Sequence, residues 1–186
     1  MKFLLGDWVC AHFIPQYRSD HTLSTCSQSF WLTLGDNESV VLLEEFETKT
    51  GGRLDALDVT DDVARVVASS GVTTGIVLIF SPHTTCSVLV AVSSNTLVDA
   101  LGRSMSALAP EDGYYAHDDL EIRTENLIED EPANAPAHIF HVVVGRASQC
   151  VPVTDGELAL GEDQRILFVE LDCSRKRRYV VQVVGE

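Results

Sequence analysis

The stretch Gly75-Ile-Val-Leu-Ile-Phe-Ser-Pro-His83-Thr-Thr85 decides the fold. It is a β-branched, apolar run that ends at a proline and hands its last turn to a histidine and two hydroxyls. A short run that is apolar at nearly every position and opened by a glycine reads as a buried strand. Pro82 cannot donate to a sheet ladder, so the strand must stop or bend there. His83 therefore stands where a rigid element meets a loop, a good place to fix a ligand. Two more histidines follow in turn-rich contexts, Tyr114-Tyr-Ala-His117 and Asn134-Ala-Pro-Ala-His138.

On the N-terminal side, Gln28–Leu34 and Val40–Thr48 read as strands around a Gly35–Ser39 turn. Residues 1–27 have mixed polarity and read as an extension, with His12 and His21 incidental. Leu57–Ser70 carries Val63, Val66 and Val67 at helical spacing. Thr60 is its expected N-cap, Asp61 and Asp62 suit the positive end of the dipole, and Gly71 suits the C-cap. On the C-terminal side, Cys86–Val92 is another strand. Ser94–Ala109 is a helix whose stripe of Leu97, Val98, Leu101, Met105 and Leu108 should pack on the core. Glu111–Glu131 is a long polar loop. Asn134–Gly145 should be a short helix, although Val142-Val-Val144 would suit a strand equally well. A Thr154-Asp-Gly156 turn joins two β segments. Arg165–Leu171 and Tyr179–Val184 are two more strands, joined across a basic turn at residues 173–177. The expectation is an α+β domain over residues 28–186. Its sheet should be mixed and mostly antiparallel, with two main helices and a short one.

With 186 residues, 45% hydrophobic and 22% charged, the chain can bury a substantial core. Its net charge of −15 argues against nonspecific binding to nucleic acid or anionic membrane. No apolar run reaches the roughly 18–20 residues of a membrane span, and the apolar start is too short for a signal peptide. Five cysteines show no zinc-finger or C-x-x-C spacing and read as reduced thiols. The expected location is the cytoplasm. Against this acidic background, Arg175-Lys-Arg177-Arg178 is a local positive cluster that could serve a phosphate.

The residues that could carry chemistry are the three loop histidines. If the fold converges His83, His117 and His138, neutral imidazoles could hold a divalent ion with an open position for water or substrate. Scattered histidines can equally well satisfy local hydrogen bonds. His141 would share a helical face with His138 and reads as a histidine at the edge of the core. Thr84 and Thr85 offer hydroxyls and amides that could cradle phosphate, with Arg175 and Arg177 adding guanidinium forks, or they could form a solvated turn. The arginines could instead pair with Glu170 or Asp172. Cys86 opens an apolar strand and should be inert.

Taken in order, these motifs resemble the YjbQ (UPF0047) family of secondary thiamine-phosphate synthases. The matching elements are Asp58-Val-Thr60, Gly75 leading to His83-Thr84-Thr85, Asp99, Tyr115-x-His117 and Asn134-Ala-x-Ala-His138 with Gly145. Pro152, Asp155-Gly156, Leu160-Gly161-x-x-Gln164 and Glu170-x-Asp172-x-x-Arg175-x-Arg177 complete the series. The resemblance implies a homotrimer with a histidine-lined pocket, weak thiamine-phosphate synthase activity and a small phosphorylated metabolite as ligand. That reaction joins a pyrimidine methyl pyrophosphate to a thiazole phosphate with loss of pyrophosphate. The implied site has His83, His117 and His138 as catalytic and metal-binding residues. The implied ion is zinc first, otherwise magnesium or manganese. Thr84, Thr85, Asn134, Gln164, Arg175 and Arg177 are the implied substrate contacts. A metal-dependent hydrolase and a non-catalytic metal or phosphometabolite binder are the alternatives. The chain departs from the family pattern where Ala91 and Val92 replace an Asn-Glu pair. Asp163 also replaces a tryptophan, and Cys173-Ser174 replaces Gly-Pro. Loss of the acidic group implies altered or reduced activity.

Overall fold

The computed structural model describes residues 24–33, 40–127, 132–143 and 145–186. His12, His21, the Gly35–Ser39 turn and nearly all of the expected N-terminal extension lie outside the described residues. Nine strands and three helices follow in the order β1 (Ser24–Thr33), β2 (Val40–Lys49), β3 (Ala56–Asp58), α1 (Thr60–Ser70), β4 (Thr74–Phe80), β5 (Cys86–Val92), α2 (Asn95–Leu108), α3 (Ala135–Val143), β6 (Ser148–Thr154), β7 (Glu157–Leu158), β8 (Gln164–Glu170) and β9 (Lys176–Gly185). They form a six-stranded sheet, β1-β2-β9-β4-β6-β7, and a three-stranded sheet, β3-β8-β5. Every described pairing is antiparallel. The protein is thus the expected α+β fold, with its strands divided between two sheets.

The apolar run from Gly75 lies between β9 and β6 in the middle of the large sheet. Gly75 is required by close approach: a Cβ there would meet the Val184 carbonyl oxygen at 2.2 Å and the Gly185 Cα at 2.7 Å. Val77 and Ile79 face inward with Leu42, Phe46, Tyr179, Val181 and Val183. Against them pack Val63, Val66 and Val67 of α1 and Val88, Ile166 and Phe168 of the small sheet. The opposite face of the small sheet, with Leu167, Val169 and Leu171, is covered by Met105 of α2 and Ala137 and Phe140 of α3. β8 is therefore buried on both faces, which explains its unbroken apolar stretch.

Local sequence signals act mostly as expected, with three corrections. Gly71 closes α1 at φ 73°, but Thr60 is the first helical residue and not the cap. Its N–H and hydroxyl donate to Asp58 Oδ1 at 3.0 and 2.5 Å, and its own oxygen accepts the Ile166 amide at 2.9 Å. Only Met105 of the α2 stripe is buried, and Leu108 is 47% exposed. The expected short helix forms as α3, and Val142 and Val143 lie on it. β8 and β9 do not pair across the basic turn, because the chain crosses there from the small sheet to the large one. No described helix is long and apolar enough to cross a membrane.

Candidate functional site

The chain passes between the two sheets at the 81–85 turn after β4 and again at the 171–175 segment before β9. The two crossings lie side by side, joined by the Leu171 N–H to Thr85 carbonyl bond at 2.9 Å. Both sheets stop here, so side chains at this corner are held by strand ends yet face a gap. The N-terminus of α3 and the loop before it close the gap into a cavity of about 800 Å³.

Eight of the nine expected site residues line this cavity: His83, Thr84, Thr85, His117, Asn134, His138, Arg175 and Arg177. Gln164 does not. It sits at the far end of β8, exposed, with its Oε1 accepting the Gly161 amide at 2.8 Å. Six residues of strand, about 20 Å, separate it from Glu170 at the cavity end. Ala91 and Val92 pair with Arg165 and Gln164, so these two departures from the family pattern also lie at the distal end.

The histidines share one cavity but not one environment. His117 and His138 are neighbours, with ring centroids 4.7 Å apart. His117 Nδ1 lies 3.0 Å from Asp118 Oδ1. The same carboxylate accepts the Asn134 and Ala135 amides at 3.1 and 3.0 Å, so it caps α3 from outside the helix. Burial first, then the adjacent His117, holds the His138 pKa below 6.5. His83 stands apart, its Nε2 accepting the Arg178 amide at 3.0 Å. Among the described residues, no group of three or more His, Cys, Asp or Glu is placed to hold a metal ion.

The arginines are paired with the acidic residues of the β8–β9 crossing. Arg177 forks onto the fully buried Glu170, with Nε to Oε2 at 2.6 Å and Nη2 to Oε1 at 2.7 Å. It also donates to Thr85 Oγ1 at 3.1 Å. Thr50 Oγ1 and the Asp172 amide also donate to Glu170, each at 3.0 Å, and the Cys86 thiol meets Oε2 at 3.7 Å. Arg177 is only 7% exposed, which corrects the expectation of an exposed basic turn at this position. Arg175 Nη2 and Asn134 Nδ2 both donate to Asp172 Oδ2 at 3.0 Å. That bond fixes the amide orientation of Asn134, whose buried Oδ1 has no partner among the described residues. Arg123 organises the loop, donating to the carbonyls of His117, Glu125 and Asn126.

Cys86 does not reach the chemistry. It is fully buried, and its thiol is pushed up to about 12 by burial first and then by the Glu170 charge. His141 donates Nδ1–H to the Cys86 carbonyl at 2.8 Å, a structural role. Sequence reasoning reached Glu170 and Asp172 as part of a motif and as rival partners for the arginines, without a site role, and it missed Asp118 and Arg123. The one local signal for Asp118 was its place beside His117. Its second contact, with α3, exists only in the folded chain.

The same architecture occurs in solved structures. A YbjQ-like protein from Sulfolobus solfataricus superposes with a TM-score of 0.68 at 27% identity, over 80% of this chain and 99% of that one. A protein from Aeropyrum pernix gives 0.66 at 32% identity, over 77% and 98%. In sequence, a UPF0047 protein of Archaeoglobus fulgidus is 36% identical over 140 residues, 75% of this chain and 99% of its own length. The UPF0047 protein YugU of Bacillus subtilis is 31% identical over 146 residues, 77% and 100%. The model of the UPF0047 protein YjbQ-like family matches residues 32–186, and the chain belongs to that family.

Proposed function

We propose that the cavity binds a small phosphorylated metabolite and that the protein is a weak thiamine-phosphate synthase-like transferase. One observation carries this reading. Three arginines and three histidines line one cavity with a single carboxylate, Glu125, in a chain with 28 acidic and 13 basic residues. Glu170 and Asp172, which pair with Arg177 and Arg175, do not line the cavity, so mostly hydrogen-bond donors face it and favour an anion. The loss of pyrophosphate in such a reaction is helped by donors fixed where charge develops. Thr85 and Arg177, bonded to each other, would serve that role, with His138 lining the same cavity. The test supplies a pyrimidine methyl pyrophosphate and a thiazole phosphate together. Pyrophosphate release that needs both substrates and is lost in His138→Ala is expected. Absence of product from both substrates would contradict the transferase reading.

A second reading is favoured by the His117–His138 pair. Adjacent imidazoles fit as two ligands of a divalent ion, with zinc ahead of magnesium or manganese. The donor set stops at two, because His83 Nε2 is taken by the Arg178 amide. A bound ion would supply a Lewis acid and activated water, as in a metal-dependent hydrolase, or it would serve a non-catalytic binder. Zinc titration of chelator-treated protein tests this, and loss of zinc binding in His117→Ala and His138→Ala is expected.

A homotrimer in the cytoplasm completes the proposal. The outer face of the large sheet supports assembly: Leu43, Val180 and Val184 are half-buried, Ile76 is 47% exposed and Phe80 is 40% exposed. A ligand-binding role for Gln164 requires its delivery to a neighbouring subunit's cavity. Free thiols at Cys86, Cys150 and Cys173 suit a reducing compartment. Light scattering should give three times the 20.3 kDa chain mass, and a monomer at micromolar concentration would contradict assembly.

A further inference from the structure

The three histidines divide into two kinds, and the division follows from the end of one strand. The β4–β9 ladder stops at Phe80 paired with Val180. Beyond it, Pro82 turns the β4 chain away and leaves the Arg178 amide without a strand partner. The His83 ring takes that place, accepting the Arg178 N–H on Nε2 at 3.0 Å. A backbone amide can only donate, so Nε2 holds the lone pair and the proton of the neutral ring sits on Nδ1. Burial, then the Arg177 and Arg178 charges, disfavours a second proton. No hydrogen-bond acceptor among the described residues meets that Nδ1–H.

Two further donors share the corner. Arg177 commits Nε and Nη2 to Glu170 and Thr85, which leaves the two N–H groups of Nη1 without an acceptor among the described residues. Thr85 Oγ1 accepts from Arg177, so its own hydroxyl proton remains to donate. All three residues line the cavity.

We propose that His83 Nδ1–H, Arg177 Nη1 and the Thr85 hydroxyl form an oxyanion subsite for a terminal phosphoryl group, and that His83 is a ligand-binding donor and not a metal ligand. The inference rests on the phosphorylated-ligand reading above and gives that ligand its anchored end. Donors alone suit the acceptor-only oxygens of an ionised phosphoryl group. A metal ion would meet a guanidinium and a ring whose lone pair is already used.

The test is nitrogen-detected proton NMR of ¹⁵N-histidine-labelled, metal-free protein, followed by titrations with pyrophosphate and with zinc. His83 is expected as the neutral Nδ1–H tautomer. Pyrophosphate should shift its Nδ1 resonance. Zinc should move resonances of His117 and His138 only. Calorimetry should show pyrophosphate binding weakened about tenfold or more in His83→Ala. His83→Asn, whose amide N–H stands near the Nδ1 position, should recover part of that loss. Melting curves of both variants separate lost affinity from lost folding. An Nε2–H tautomer, or direct zinc ligation at His83, would overturn the inference. Unchanged pyrophosphate affinity in a folded His83→Ala would overturn it while leaving the phosphorylated-ligand reading intact. Absence of pyrophosphate binding to the wild type would overturn both.

Discussion

At the scale of single residues, the Glu170–Arg177 pair determines what the cavity can be. A fully buried carboxylate persists because a guanidinium fork, a threonine hydroxyl and a main-chain amide all meet it. Arg177→Lys keeps the charge but loses the fork. The expected cost is about 2 kcal/mol of stability, from lost bonds to a charged group. For a chain of this size that lowers the melting temperature by roughly 4–8 °C. An unchanged melting temperature would return Arg177 to a purely ligand-facing role. His83 and His138 make a second residue-scale prediction. Both have folded pKa values below 6.5, chiefly through burial. Between the folded values and about 6.5, the unfolded chain binds more protons, so stability rises with pH across that window. The contribution is complete above 6.5 and is lost as pH falls through the lowered folded values. In chelator, the melting temperature should therefore fall more steeply from about pH 7.5 to about 5.5 in wild type than in His138→Gln. Equal slopes would contradict the assigned direction.

At the scale of elements, the site is assembled by ends: the end of β4, the start of β9 and the N-terminus of α3. Asp118 joins the loop to α3 by accepting the Asn134 and Ala135 amides. Asp118→Ala should cost about 1 kcal/mol, the usual value of a lost cap. It should also loosen His117, read as line broadening of that ring in NMR, and an unchanged ring signal would contradict the link. The elements that could be read from sequence were those with local punctuation. β5 falls at Cys86–Val92 as expected because a turn precedes it and polar residues follow. The Thr154-Asp-Gly156 hairpin was legible because both turn residues need positive φ, observed at 53° and 79°. The crossing of β8 and β9 between sheets was not legible, since two apolar runs around a basic turn look the same whether or not they pair. The burial of Arg177 was hidden for the same reason. It lies in a run of four basic residues, and only Glu170, brought alongside by the crossing, takes it out of solvent. The histidines could be listed from their loop contexts, but their unequal roles depend on Arg178 and Asp118, contacts that spacing does not encode.

At the scale of the whole molecule, three arginines and three histidines of an acidic protein line one cavity at a corner where strand ends of both sheets meet. The small sheet is buried on both faces, and α2 and α3 close one side of it. The outer face of the large sheet leaves Ile76 and Phe80 exposed beside the half-buried Leu43, Val180 and Val184, which is why assembly and ligand binding are predicted together. Ligand binding is the central claim, and calorimetric titration of chelator-treated wild-type protein with pyrophosphate tests it most directly. The predicted result is saturable binding at a single site per chain that weakens as salt is raised, because the attraction is electrostatic and partly screened. No binding up to about 1 mM, which corresponds to about −4.1 kcal/mol, would contradict the claim that this cavity holds a phosphorylated ligand.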